Sequence, residues 1–399
     1  MEREKIKLQL RAVSLLAGTA IGTGMISLPI VLANFGILGS LLLMIFFCWV
    51  TYVSAIVRCE LNIKSKKDYN LRDVGLHFGG RASAYLGDIF TKLLNFALLS
   101  AYIFGGTSII RSFMLADCQF AAVAVAFAAA IAAIFLFSSN FVIKINNHAF
   151  IILFTVVVGG IICLAMWSNM DSVPFQIGDI WHSKTWGTVL PVVFTSFGYQ
   201  GSLHSLTKFV GNDRQMIKRA CLFGSIIPAC VYCLWVTCVL VIIFNSDQQS
   251  YSRMLTQPIE VGELIQILSK ITNIGGIQAI SWIVSFLAIM TSIVGVGIAL
   301  NEIIEKDLPR RIVMTEKMRH VISTAIMIIP ATLVAVFVPN AFIKVLGFAG
   351  IILSVIAIIL PVHLYRRSIP DKQSLSMSVK IIFIVGLAII AFGLMDMFI

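Results

Sequence analysis

Long apolar runs alternate with short polar stretches along the whole of this chain. Eleven runs approach the ~20 residues that a helix needs to cross a bilayer. They lie near 12–33, 36–57, 84–110, 119–138, 148–168, 187–207, 220–244, 276–303, 321–338, 342–364 and 379–398. In lipid each backbone N–H and C=O must be paired within its own segment, so such runs wind as helices. The pattern predicts an all-α polytopic membrane protein. Two connections are longer than the rest. One is 169–186, whose Trp181 and Trp186 suit a membrane interface; the other is 245–275, where 257–270 predicts a short helix lying on the outer face.

Composition agrees with the pattern. The 399 residues are 59% hydrophobic and 12% charged, where a soluble domain needs about 25% charged to cover itself. The net charge of +11 would suggest nucleic acid in a soluble chain. Here the basic residues have a better use. With the N-terminus in the cytoplasm, 24 of the 30 lysines and arginines fall in inner segments and five in outer ones. Adding or removing one central span would invert every later loop and spoil that asymmetry. The odd count puts the C-terminus on the outer side. The first run follows four basic residues, as a secretory signal would, but it is too long and lacks a small-x-small cleavage site, so it is expected to stay as a span. Most of the eight cysteines lie in apolar runs or at their inner ends. Cys230-x-x-Cys233 is read as core packing rather than a metal or redox site, and no cofactor or metal is expected.

Two runs carry an interruption at mid-depth. The first reads Gly18-Thr19-Ala20-Ile21-Gly22-Thr23-Gly24-Met25 and then Pro29; the sixth reads Thr195-Ser196-Phe197-Gly198-Tyr199-Gln200-Gly201-Ser202. Glycine weakens a helix at such points. The two positions correspond if the chain is a 5+5 inverted repeat, with helices 1–5 in 1–168, helices 6–10 in 169–375 and an additional helix in 376–399. A broken helix offers N–H groups to an anion and carbonyls to a cation, and unpaired backbone at this depth persists only beside a polar cavity. Close helix packing through small residues is the competing account of either site taken singly.

These segments resemble a known family. Ala20-Ile21-Gly22-Thr23-Gly24-Met25 with Leu28-Pro29 looks like the first helix of the bacterial aromatic amino acid permeases, the tyrosine- and tryptophan-specific transporters. Phe194-Thr195-Ser196-Phe197-Gly198 with Gly201-Ser202 resembles their sixth helix, Ala101-Tyr102-Ile103 with Gly105-Gly106 their third, Thr291-Ser292 with Gly295-Val296 their eighth, and Glu60-Leu61-Asn62 is also similar. The resemblance implies a LeuT-type fold of the amino acid–polyamine–organocation superfamily, an inner-membrane location in a bacterium and proton-driven uptake of an aromatic or large neutral amino acid. It places the substrate carboxylate at the N–H groups of Gly22, Thr23 and Gly24. The ammonium group falls near Ala20, Ser196 and Phe197, beside Gly198, and Tyr199 flanks the side-chain pocket. The chain departs from the family at Tyr199-Gln200, where the permeases usually have Phe-His, and at His204, where they have Pro. The polarity of the pocket wall is therefore altered.

Polar residues within the apolar runs are further candidates. Asp88, Lys92, Asn95 and Tyr102 share one face of the third run. Tyr102 is assigned to substrate, and Asp88, Lys92 and Asn95 to a route from the inner side, with a snorkelling Asp88–Lys92 pair as the alternative. Thr291 and Ser292 with carbonyls of Gly18 and Ile21 make a candidate cation site, while membrane hydroxyls often bond their own backbone instead. His148, His204 and His363 are the histidines within or beside the runs, and Trp282, Phe286 and Phe348 are candidate pocket aromatics. With no G-x-x-x-x-G-K-[ST], H-E-x-x-H or G-x-S-x-G, neither an ATP-driven pump nor a membrane enzyme is expected. A sodium-coupled carrier, or an amino-acid sensor on a transporter fold, is the alternative to a proton symporter.

Overall fold

In the computed structural model the described residues are 2–22, 24–65, 70–113, 117–137, 139–167, 183–211, 213–256, 259–272, 275–309, 315–338, 341–370 and 374–398. Among them every regular element is helical. The first apolar run is split into α1 (Glu2–Ala20) and α2 (Gly24–Leu32). Then come α3 (Gly36–Ser65), α4 (Leu71–Phe113), α5 (Phe120–Phe135) and α6 (Ser139–Trp167). The sixth run is split into α7 (Ser183–Ser196) and α8 (Leu203–Val210), joined through a 3₁₀ turn over Gln200–Ser202. The second half continues with α9 (Arg214–Ser246), α10 (Gln248–Thr256), α11 (Val261–Thr272), α12 (Gly275–Asp307) and α13 (Glu316–Phe337). It closes with α14 (Ala341–Ser354), a π-helical turn over Val355–Ile359, α15 (Leu360–Arg367) and α16 (Met377–Phe398).

Among the described residues seven helical stretches are long and apolar enough to cross a membrane, and Phe120–Phe135 and His148–Ile162 are shorter apolar helices. Large apolar side chains such as Ile45, Ile151, Ile329, Phe337 and Ile384 point outward. This is what hydrocarbon as a solvent permits and water does not. The molecule is a polytopic membrane protein.

Local chemistry sets the element ends. Asp213 caps α9 by accepting from the N–H groups of Gln215 and Met216, both at 3.0 Å, and Thr315 caps α13 through the Met318 N–H at 3.3 Å. α4 turns sharply at Gly80, whose φ of 79° lies in the region that only glycine enters freely. Of the stretch 257–270, residues 257 and 258 lie outside the described residues, and a short helix follows as α11, which packs on α4, α9 and α12. The 169–182 part of the other long connection, with Trp181, lies outside the described residues, whereas Trp186 stands edge-on to Phe35 at 4.8 Å.

One large apolar core runs through α2, α3, α4, α7, α9, α12 and α14. α1 packs on α9, α7 on α14, and α4 on both α12 and α14. These contacts bring the two split runs side by side in the middle of the molecule. Thr19 Oγ lies 2.8 Å from Ser202 Oγ, and Ser27 Oγ lies 3.4 Å from Ser196 Oγ.

Candidate functional site: two broken helices on one cavity

Both expected interruptions are present. α1 ends at Ala20, Ile21 and Gly22 form a bend, and helix resumes at Gly24; Thr23 lies outside the described residues. α7 ends at Ser196, and Phe197, Gly198 and Tyr199 are not helical. Helix ends leave carbonyls without their usual donors, and here an aromatic residue supplies one. Tyr232, from the middle of α9, places its hydroxyl 2.6 Å from the Ala20 carbonyl and 3.0 Å from the Ser196 carbonyl. A single phenolic proton is thus shared between the last residues of α1 and α7. One turn along α9, the indole N–H of Trp235 donates to the Met25 carbonyl at 2.5 Å.

The breaks open on a cavity of about 760 Å³, within the range of small-molecule sites. Its wall at the breaks is formed by Ala20, Ile21, Gly22, Ser196, Gly198 and Gln200. From there the cavity extends toward the end of the molecule that holds Ser14, Arg58, Asn70, Arg72 and Lys306. No residue of α2 lines it, and Met25, Ser27, Leu28 and Leu32 are buried. The cavity is therefore closed on one side of the breaks and continuous on the other.

The sequence-predicted residues divide on this wall. Tyr102, Asn95 and Asp88 line it along one face of α4, and Gly18, Ile21, Thr291 and Ser292 meet on it. A side chain added at Gly22 would lie 2.5 Å from Ser292 Oγ. The hydroxyls nevertheless bond their own helix, Thr291 Oγ to the Leu287 carbonyl at 2.9 Å and Ser292 Oγ to the Ala288 carbonyl at 2.8 Å. His204 lines the cavity, while His148 and His363 are exposed elsewhere. Trp282 and Phe286 stack on each other at 5.3 Å away from the cavity, and Phe348 packs, partly buried, against the core.

Four expectations change. Tyr199 does not flank the cavity. It is fully buried, with its hydroxyl 2.7 Å from Ser225 Oγ, because the chain leaves the helix after Ser196 and turns this ring into a second core formed with α1 and α9. Phe197 is likewise buried, edge-on to Tyr232 at 5.5 Å. Gly24 is not an open seat: a β-carbon there would lie 2.6 Å from the Tyr232 hydroxyl and 2.8 Å from Ser196 Cβ, so the glycine lets these groups approach. Lys92 is off the wall too. Its ammonium group bonds Asp88 at 2.7 Å as spaced, and also pairs with Asp307 of α12, a partner the spacing within one helix does not reveal.

Other groups were assigned no role in the site from sequence. Arg58 is buried at the cavity and donates to Asn62 at 2.6 Å, and Asn62 donates to Thr207 of α8 at 2.9 Å. The π-helical turn contributes Ile356 and Ala357 to the wall. His320 is held between Glu305 at 2.6 Å and the Phe135 carbonyl at 2.6 Å, tying α13 to α12 and α5.

Residues 5–399 match the model of the tryptophan/tyrosine permease family. The chain belongs to that family. It is a transporter and not an enzyme. It is 27% identical over 357 residues to tyrosine-specific transport system 1 of Haemophilus influenzae, covering 89% of this chain and 86% of that one. Against the tryptophan-specific transport protein of Pseudomonas aeruginosa the identity is 28% over 367 residues, with 89% and 85% covered. Against glutamine transporter 2 of Aliivibrio fischeri it is 27% over 355 residues, with 87% and 86% covered. In fold the permease is similar to a manganese transporter of Eremococcus coleocola, with a TM-score of 0.60 over 96% of this chain and 85% of that one, at 14% identity.

Proposed function

We propose that the protein imports an aromatic or large neutral amino acid across the bacterial inner membrane by proton symport with alternating access. The observation that carries this reading is that both helix breaks open on one cavity closed on one side only. A free amino acid presents a carboxylate and an ammonium group at fixed separation. In this reading the carboxylate takes N–H groups at the first break, around Gly22 and Thr23 and without Gly24, and the ammonium group takes oxygens near Ala20 and Ser196. The breaks are discontinuities about which one bundle rocks against the other. The eleven-span arrangement, the 5+5 inverted repeat and a cytoplasmic N-terminus belong to the same proposal. On that topology the cavity faces the cytoplasm, and the structure corresponds to an inward-open state. The relatives named for tyrosine, tryptophan and glutamine support a zwitterionic neutral cargo.

Sodium coupling is the second reading, favoured by the meeting of Thr291, Ser292, Gly18 and Ile21 on the wall. Uptake of labelled tyrosine, tryptophan, phenylalanine and leucine into proteoliposomes, under separately imposed proton and sodium gradients, decides. Accumulation driven by an acidic outside is expected. Accumulation with sodium alone replaces the ion, binding without accumulation indicates a sensor, and neither binding nor uptake of any amino acid ends the proposal.

A further inference from the structure

Behind the cavity wall, toward the end of the molecule that holds Ser14 and Lys306, α5, α12 and α13 meet around one imidazole. His320 Nδ1 lies 2.6 Å from Glu305 Oε1, and Nε2 lies 2.6 Å from the Phe135 carbonyl. A β-carbon on Gly297 of α12 would collide with the Phe135 ring, so α5 and α12 lie close here. Among the described residues the charged groups facing the imidazole are Glu305 and Glu302 of α12, which line a small pocket with it. α5 has no charged residue, and α6 contributes the apolar Val142. Arg319, beside His320 on α13, is turned to the carbonyls of Glu305 and Leu308 at 3.1 and 2.8 Å. Asn301 adds a carboxamide 3.3 Å from Nδ1.

A carboxylate and a carbonyl only accept, while a neutral imidazole carries a single N–H. Two acceptors at 2.6 Å, one on each ring nitrogen, therefore require one more proton than neutral His320 and ionised Glu305 bring. That proton belongs to the pair, whichever partner holds it. When it leaves, a nitrogen lone pair faces an acceptor and one of the two bonds is lost. α12 links this junction to the cavity. It carries Ser292, Gly295, Ala299 and Lys306 on the cavity wall, and Glu305 on the junction. Resting on the transport proposed above, we infer that His320 and Glu305 form a proton-operated latch through which pH on the side the cavity opens to sets the transport rate. Protonated, the pair ties α12 to α13 and α5 and holds the wall as a firm body against which α1 and α8 move. The tie is complete at low pH and loses one bond as pH rises and the proton leaves. The wall then loosens and transport slows.

Amide exchange over residues 320–327, corrected for intrinsic rates, reads the latch itself. In the wild type, protection should fall about ten-fold between pH 6 and pH 9, the scale of one hydrogen bond to a charged group. In Glu305→Gln the new carboxamide can donate to a neutral ring while the ring donates to Phe135, so protection should persist to pH 9. His320→Gln keeps at most one bond and should show the lower protection at both pH values. A merely structural contact would weaken in both variants at every pH. Transport is read in proteoliposomes as exchange of labelled for unlabelled amino acid, using whichever of tyrosine, tryptophan, phenylalanine and leucine the wild type carries. The pH is equal on both faces, so no gradient drives the exchange. The rate of Glu305→Gln over that of the wild type should be near one at pH 6 and several-fold at pH 9, pH effects common to both proteins cancelling. Wild-type protection that is flat with pH, or that falls equally in Glu305→Gln, removes the latch; a rate ratio that stays at one removes its control of transport. Either result overturns the inference. If Glu305→Gln does not fold, the wild-type profile and His320→Gln decide. If the wild type exchanges none of the four amino acids, the transport proposal has failed, an outcome distinct from exchange without the pH-dependent ratio, and amide exchange alone judges the latch.

Discussion

Tyr232 carries one phenolic proton and stands against two carbonyls that have lost their helical donors. Its ring is fully buried and fixed edge-on against Phe197. The hydroxyl therefore ties the end of α1 to the end of α7 without passing through any loop. Removing it leaves two buried acceptors to share no donor, at a cost of about 1–3 kcal/mol. Tyr232→Phe keeps the ring and is expected to lower the detergent melting temperature by a few degrees. Transport should slow more than equilibrium binding weakens, because the tie sets the relative position of two segments that the proposed cycle must rearrange. Uptake and binding measured on the same preparation check this; an unchanged melting temperature would show that the oxygen contributes nothing at the breaks. Gly24 belongs to the same construction, since only a residue without Cβ admits the phenol and Ser196 so close to the start of α2.

At the scale of elements, much was legible because the bilayer asks for long apolar segments and penalises loose backbone. Each apolar run falls on described helix, and the Gly22-x-Gly24 and Gly198-to-Gly201 clusters mark the two places where winding stops. What stayed hidden depends on partners distant in the chain. Tyr232 and Ala20 are 212 residues apart, and nothing local to α9 distinguishes that tyrosine from a packing residue. The Asp307 partner of Lys92 and the burial of Tyr199 are hidden for the same reason. The π-helical turn at Val355–Ile359 has an all-apolar sequence like its flanks, so it leaves no compositional trace. Some ends were decided by single polar residues. Asp247 precedes α10 and accepts from the N–H of Ser250 at 2.9 Å and from its hydroxyl at 2.6 Å. These two bonds, from the hydroxyl first, hold its carboxyl below the usual carboxylate range. A depressed value in the folded state means that the cap contributes fully above the ordinary carboxylate pKa and is lost as pH falls through the lower one. Amide exchange in α10, corrected for intrinsic rates, should thus be flat from pH 8 to pH 5 and faster in Asp247→Ala throughout that range. Equal exchange in the two proteins would remove Asp247 as the cap.

For the whole molecule, the central feature is asymmetry about the breaks. Asn95 and Asp88 of α4 line the cavity, whereas Ser27, just beyond the first break on α2, is fully buried and bonded toward Ser196. A carrier caught open to one side must show one-sided access, and the two positions report on it in opposite senses. Asn95→Cys is expected to react with a membrane-impermeant thiol reagent applied to the face that bears the N-terminus, and not from the other face. Ser27→Cys should be protected from both. Modification read peptide by peptide by mass spectrometry separates these sites from the native cysteines. If the proposed cycle operates, a proton gradient with substrate should increase reaction at Ser27→Cys from the face opposite the N-terminus while slowing it at Asn95→Cys, because opening one side requires closing the other. Equal labelling of Asn95→Cys from both faces would mean a pore. Labelling that ignores substrate and gradient would mean a fixed cavity, and the alternating-access proposal would not survive it.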